Sequence, residues 1–196
     1  MTAIAPPPPT TTTNTASAKS NPSPHKRIHH ETIIDAPIEL AWAALVDVED
    51  WSWNKWTRLE LPEGEGPPSP GKTGTLRACY EGDDRSWESF GFEFAAVDDG
   101  SGSGKHKGNR RTLAWKGSVG AFGPFCLFRG YHSVSLEEAA DGSGRTLLVH
   151  KEDFGGLLPA LRMGLPYKTL DRNYRLMNES LRDFVEARHR ETARAT

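Results

Sequence analysis

The chain has 196 residues, a formal net charge of -2, two cysteines, and 26% charged against 36% hydrophobic residues. That length fits one domain with a tail, and the near-neutral balance gives no strongly basic surface for nucleic acid. Cys79 and Cys126 form neither a metal-ligand spacing nor a disulfide framework, and no apolar run approaches the ~18–20 residues of a membrane span.

Residues 1–26 hold Pro6 to Pro9, Thr10 to Thr13 and further Ser, Asn and Pro. This composition has too little apolar surface to bury, so a disordered tail is expected. No apolar leader segment opens the sequence and Lys19 is its first basic side chain, so a cytoplasmic location is expected.

An ordered domain over residues 27–190 is expected to follow. Ile28 to Ile34 reads as a strand. Asp35-Ala36-Pro37 then ends it and opens a helix, with Asp35 as a candidate cap and Ile38, Trp42, Leu45 and Val46 as the apolar stripe. Trp51, Trp53 and Trp56 fall in a short turn or second helix, and Thr57 to Leu61 reads as extended. Thr73–Tyr80 and Ser86–Phe94 read as a hairpin about Glu81-Gly82-Asp83-Asp84, with Phe90, Phe92 and Phe94 alternating along its second strand. A polar Gly-Ser insert, Asp98 to Arg110, precedes strands predicted over Thr112–Ser118, Phe125–Glu137 and Arg145–Phe154. The connector Gly155–Leu165 leads into a helix over Pro166–Arg188. There Tyr167, Leu170, Tyr174, Met177, Leu181 and Phe184 recur at steps of three and four. One long helix lying across a curved antiparallel sheet is the architecture these elements imply.

Side-chain alternation marks a candidate site. In the last strand Leu148, His150, Glu152 and Phe154 share one face, while Lys151 and Asp153 share the other. In the preceding strand Phe128, Gly130, His132, Val134 and Leu136 share the apolar face. If both apolar faces point the same way, His132 lies opposite either His150 or Glu152. Two imidazoles and a carboxylate then meet inside, where they need partners to offset lost hydration. An aromatic set joins them, giving an apolar space with a few polar groups, the character of a small-molecule pocket.

The run Ala36-Pro37-Ile38-Glu39-Leu40-Ala41-Trp42, then Leu45 to Trp51 and Trp53-Asn54-Lys55-Trp56, resembles the opening of START-like proteins. These are also called the Bet v 1-like or SRPBCC superfamily, with a polyketide cyclase/dehydrase-like branch. The later strands, Phe154-Gly155-Gly156 and the long helix agree, so the resemblance covers about Ile28 to Ala187. It implies an α+β helix-grip fold: about seven antiparallel strands curved around a C-terminal helix, two short helices after the first strand, and a ligand cavity between sheet and helix. It transfers a cavity and not a reaction.

On these grounds His132, His150 and Glu152 are the candidate catalytic residues, able to move protons on a bound carbonyl compound for cyclisation or dehydration. Tyr167 or Tyr174 could donate to a developing enolate oxygen. The residues assigned to the ligand are Trp53, Trp56, Phe92, Phe94, Trp115, Phe128, Phe154, Leu158, Tyr167, Tyr174 and Met177. The ligand expected is a hydrophobic or aromatic small molecule, lipid- or polyketide-like; no cofactor, metal, nucleic acid or membrane span is assigned. Two alternatives stand beside this reading. One is a non-catalytic carrier of a lipid, sterol or quinone, with the connector leucines as a gate. The other is a protein-interaction module presenting Trp51, Trp53 and Trp56 as an exposed patch.

Overall fold

The computed structural model describes residues 27–81, 86–101, 110–122, 125–161 and 166–195. The expected tail over 1–26, the tip of the first hairpin, most of the Gly-Ser insert and the end of the connector lie outside the described residues.

Seven strands form one antiparallel sheet in the order β1-β7-β6-β5-β4-β3-β2. They are β1 (Arg27–Ile34), β2 (Thr57–Glu60), β3 (Thr73–Ala78), β4 (Glu88–Asp98), β5 (Arg110–Phe122), β6 (Phe125–Glu138) and β7 (Thr146–Gly155). Among the described residues three helices accompany them: α1 (Ile38–Val46), α2 (Leu157–Ala160) and α3 (Tyr167–Ala195). The second of the two helices expected after β1 is only a single 3-10 turn, Val48–Asp50. Among the described residues no helix is long and apolar enough to cross a membrane.

Asp35 does not cap α1. Extended Pro37 occupies that position without a side-chain bond, and the Asp35 backbone N–H instead donates to Glu186 Oε1 at 2.9 Å. The other end of α1 is closed by an aromatic side chain: Trp51 Nε1–H donates to the Leu45 carbonyl at 3.0 Å, satisfying one of the last-turn acceptors. Asn54 Oδ1 then accepts the Trp56 and Thr57 backbone N–H groups at 3.0 and 3.1 Å, turning the chain into β2. This turn folds inward. Trp51 and Trp53 are 5% and 6% exposed, which removes the exposed indole patch.

Glycines lie within one register step of one another on five neighbouring strands: Gly74, Gly91, Gly117, Gly130 and Gly155. An added Cβ at Gly74 would meet the Glu60 carbonyl at 2.4 Å, and one at Gly117 would meet the Gly91 carbonyl at 3.0 Å. Such a seam lets backbones approach and the sheet bend.

Helix α3 lies against β1, α1 and β7. Met177, Leu181 and Val185 are buried, and Phe184 packs at the margin of the core. Polar bonds strap α3 to β1 in step. The Tyr167 hydroxyl donates to the Arg27 carbonyl, His30 Nε2 meets Asp171 Oδ1 at 3.0 Å, and Asn178 Nδ2 donates to Thr32 Oγ1 at 3.4 Å. The solid core fills one end of the space between sheet and helix, with Ile34, Leu45, Phe94, Leu113 and Leu148 fully buried.

Candidate functional site

Strands β6 and β7 pair so that His132 faces Glu152 and Val134 faces His150, which settles the open choice of register. Because successive side chains alternate faces, all three polar groups point inward, His132 4%, His150 0% and Glu152 5% exposed. They bond in sequence. Glu152 Oε2 lies 2.5 Å from His132 Nδ1, His132 Nε2 lies 2.6 Å from His150 Nε2, and His150 Nδ1 lies 2.7 Å from Asn178 Oδ1. The Tyr174 hydroxyl donates to Glu152 Oε2 at 3.3 Å.

Aromatic rings clamp this row. Trp115 stacks on His132 with centroids 4.0 Å apart, and Tyr174 stacks on His150 at 4.7 Å. Gly130, diagonal to Glu152 on β6, leaves space for the carboxyl group: a Cβ there would lie 2.5 Å from Glu152 Oε1.

A cavity of about 280 Å³ opens beside Glu152 and His132. Six of the residues assigned to the ligand line it: Trp56, Trp115, Phe128, Phe154, Leu158 and Tyr174. Five do not. Trp53, Phe92, Phe94 and Met177 are packed in the solid core, because the same inward parity continues past the end of the cavity. Tyr167 packs edge-on against Phe154 at 5.6 Å and turns its hydroxyl to β1. His150 also stands off the wall, behind His132, so it reaches a ligand only through that ring.

Other wall residues escaped the ligand assignment, among them Leu76, Phe90, Tyr80, Leu170 and Asn173. Phe90 has the parity of Phe92 and Phe94, and that signal was sufficient to place it. Asn173 is 3% exposed and donates to the Tyr80 carbonyl at 2.9 Å, while Asn178 is 2% exposed. Neither asparagine carries a sequence signal, since an amide on a helix reads as solvent-facing. An open groove of about 770 Å³ along Val48–Leu61 lies elsewhere and is lined by neither Glu152 nor His132.

Burial governs the charges. It pushes the Glu152 carboxyl up to about 8 and the His132 imidazole down to about 3. His150 is held well below its ordinary value, first by burial and then by the neighbouring His132. Tyr174 is held well above its ordinary value by burial and by Glu152. Burial thus favours a neutral acid against a neutral imidazole at the 2.5 Å contact, with one proton between them. The nitrogens of the two histidines meet one another, Glu152 and Asn178, so these three side chains do not converge on a common metal position.

No protein-family model matches the sequence, and no curated protein matches it significantly. Solved structures do match in fold. The hypothetical protein jhp0584 from Helicobacter pylori has a TM-score of 0.63 at 15% identity, covering 94% of this chain and 97% of that one. The Zhui aromatase/cyclase from Streptomyces sp. R1128 has a TM-score of 0.57 at 17% identity, covering 83% and 94%. Ara h 8.0201 has a TM-score of 0.55 at 16% identity, covering 82% and 97%. With the seven-stranded sheet and the long terminal helix, this chain has the helix-grip fold of the START-like, Bet v 1-like proteins.

Proposed function

We propose that the chain binds a neutral aromatic or polyketide-like small molecule in this cavity and acts on it by acid–base chemistry, with Glu152 as the proton donor and His132 as its partner. The observation that carries the reading is a buried carboxyl group, 2.5 Å from an imidazole nitrogen, on an otherwise largely apolar, aromatic wall where burial favours its protonated form. Charged ligands are disfavoured there, because Glu152, His132 and Tyr174 offer no net charge to pair with. A carbonyl or hydroxyl oxygen is favoured, since it can replace His132 Nδ1 or Glu152 Oε2 as the acceptor of the Glu152 or Tyr174 proton that otherwise goes to them. In a dehydration, Glu152 gives its proton to a departing hydroxyl, which leaves as water. The resulting carboxylate then takes a proton from the adjacent carbon, so the group returns to its starting state. The aromatase/cyclase among the solved structures of this fold supports the direction of this proposal.

Glu152→Gln is the test. The amide keeps a hydrogen to give His132 Nδ1 but has none to transfer. Ligand affinity should change by less than a few-fold, whereas turnover should fall by about 100-fold or more. Candidate ligands are those recovered by native mass spectrometry and extraction of the purified protein. Equal turnover in wild type and variant would remove Glu152 as the acid.

The second reading is a carrier without chemistry. It is favoured by the completeness of the polar row: no side-chain atom of Glu152, His132, His150 or Asn178 is buried without a partner. Recovery of one unaltered ligand, bound equally by wild type and Glu152→Gln and never converted, would select it.

A further inference from the structure

The row Glu152–His132–His150–Asn178 has a direction, and the direction is set at its far end. The Asn178 amide turns its nitrogen to Thr32 Oγ1, 3.4 Å away, and its oxygen to His150 Nδ1, 2.7 Å away. An amide oxygen only accepts, so with the amide turned this way His150 Nδ1 carries the hydrogen. A neutral imidazole has one N–H, which makes His150 Nε2 an acceptor. His132 Nε2, 2.6 Å off, is then the donor, and His132 Nδ1 is left with a lone pair. That lone pair faces Glu152 Oε2 at 2.5 Å, where a second lone pair would be repelled, so the oxygen carries the proton.

We infer that Asn178, which does not line the cavity, is the positioning residue that fixes both histidine tautomers and thereby keeps Glu152, on the cavity wall, in its protonated form. Reversing the amide would reverse every bond in the row and turn Glu152 Oε2 from donor to acceptor. The inference deepens the acid–base reading of the cavity, yet the row can be tested without any ligand.

Other titratable groups act on the row from each neighbouring element. They are Tyr174 and Tyr167 on α3, Tyr80 after β3, His30 on β1 and, on β7 itself, Asp153. Only Asn178 is a non-titrating group at the end of the row, so its effect is separable from theirs.

The experiment is ring-nitrogen NMR of full-length protein labelled with 15N-histidine, together with a 13C titration of the Glu152 carboxyl. Wild type at neutral pH should show hydrogen on Nδ1 of His150 and on Nε2 of His132, with His132 Nδ1 bare. Asn178→Leu removes the acceptor at similar size. It should redistribute both tautomers and make Glu152 more acidic by about tenfold, roughly one pH unit. Thr32→Val, a milder change that releases the amide nitrogen, should shift both in the same direction and serves if Asn178→Leu fails to fold. A wild-type His132 protonated on Nδ1 overturns the inference. So do tautomers and a Glu152 titration that stay unchanged in whichever of the two variants folds. Absence of turnover would count against the catalytic proposal alone, because none of these spectra depends on a substrate.

Discussion

At Gly130 there is no room for a methyl group, because Glu152 Oε1 already occupies the position 2.5 Å from where its Cβ would stand. Gly130→Ala must therefore push the carboxyl aside and stretch its contact with His132. The expected cost is about 1–3 kcal/mol of stability, as for other overpacked sites, read from the shift in urea midpoint. At this scale much of the site was legible. The period-two alternation put His132, His150 and Glu152 on one side, and parity limited the partners of His132 to two. What the alternation could not supply was depth. It placed Phe92 and Phe94 in the same class as Phe90, although only Phe90 reaches the cavity.

Among the elements, the turn between α1 and β2 depends on one amide. Asn54 is 3% exposed and its Oδ1 holds two backbone N–H groups. Asn54→Leu leaves the buried Thr57 donor and the part-buried Trp56 donor unpaired, so a loss of about 1–3 kcal/mol is expected in chemical denaturation, with the seven-stranded sheet unchanged by circular dichroism. The same turn shows where sequence patterning ends. Three indoles in six residues fit a core better than an exposed patch but do not exclude the patch, and the Trp51 bond to Leu45 and the tilted packing of Trp51 against Trp53 at 5.4 Å decide it. Helix α3 was legible as an amphipathic rod from its apolar spacing. Its two buried asparagines were not, because their partners, Tyr80, His150 and Thr32, lie far away in the chain.

For the molecule as a whole, the buried acid and imidazole give stability a particular dependence on pH. Glu152 is raised from 4.5 to about 8, so the folded state holds the extra proton between those values and stability falls as pH rises through them. His132 is lowered from 6.5 to about 3, so the unfolded state holds the extra proton there and stability falls as pH drops. Between 4.5 and 6.5 the two slopes oppose, and the expected result is a broad maximum with a decline on either side. Denaturant midpoints from a pH of about 3 to about 8 check it, and Glu152→Gln should flatten the alkaline arm and leave the rising His132 slope unopposed between 4.5 and 6.5. The overall architecture was legible because every strand and the terminal helix carry their own periodicity. The cavity was not, since its size depends on where core side chains stop, a property of the assembled sheet and helix.

The glycine seam has a consequence for how such a container can change. The bend of the wall resides in residues that have no side chains, so the breadth of the bowl belongs to the main chain. The rings at Phe90 and Phe128 reach the interior from that wall without being part of the bend. Exchanging them for smaller or larger groups would retailor the guest that fits, while the seating of α3 and the proton-bearing row stay as they are.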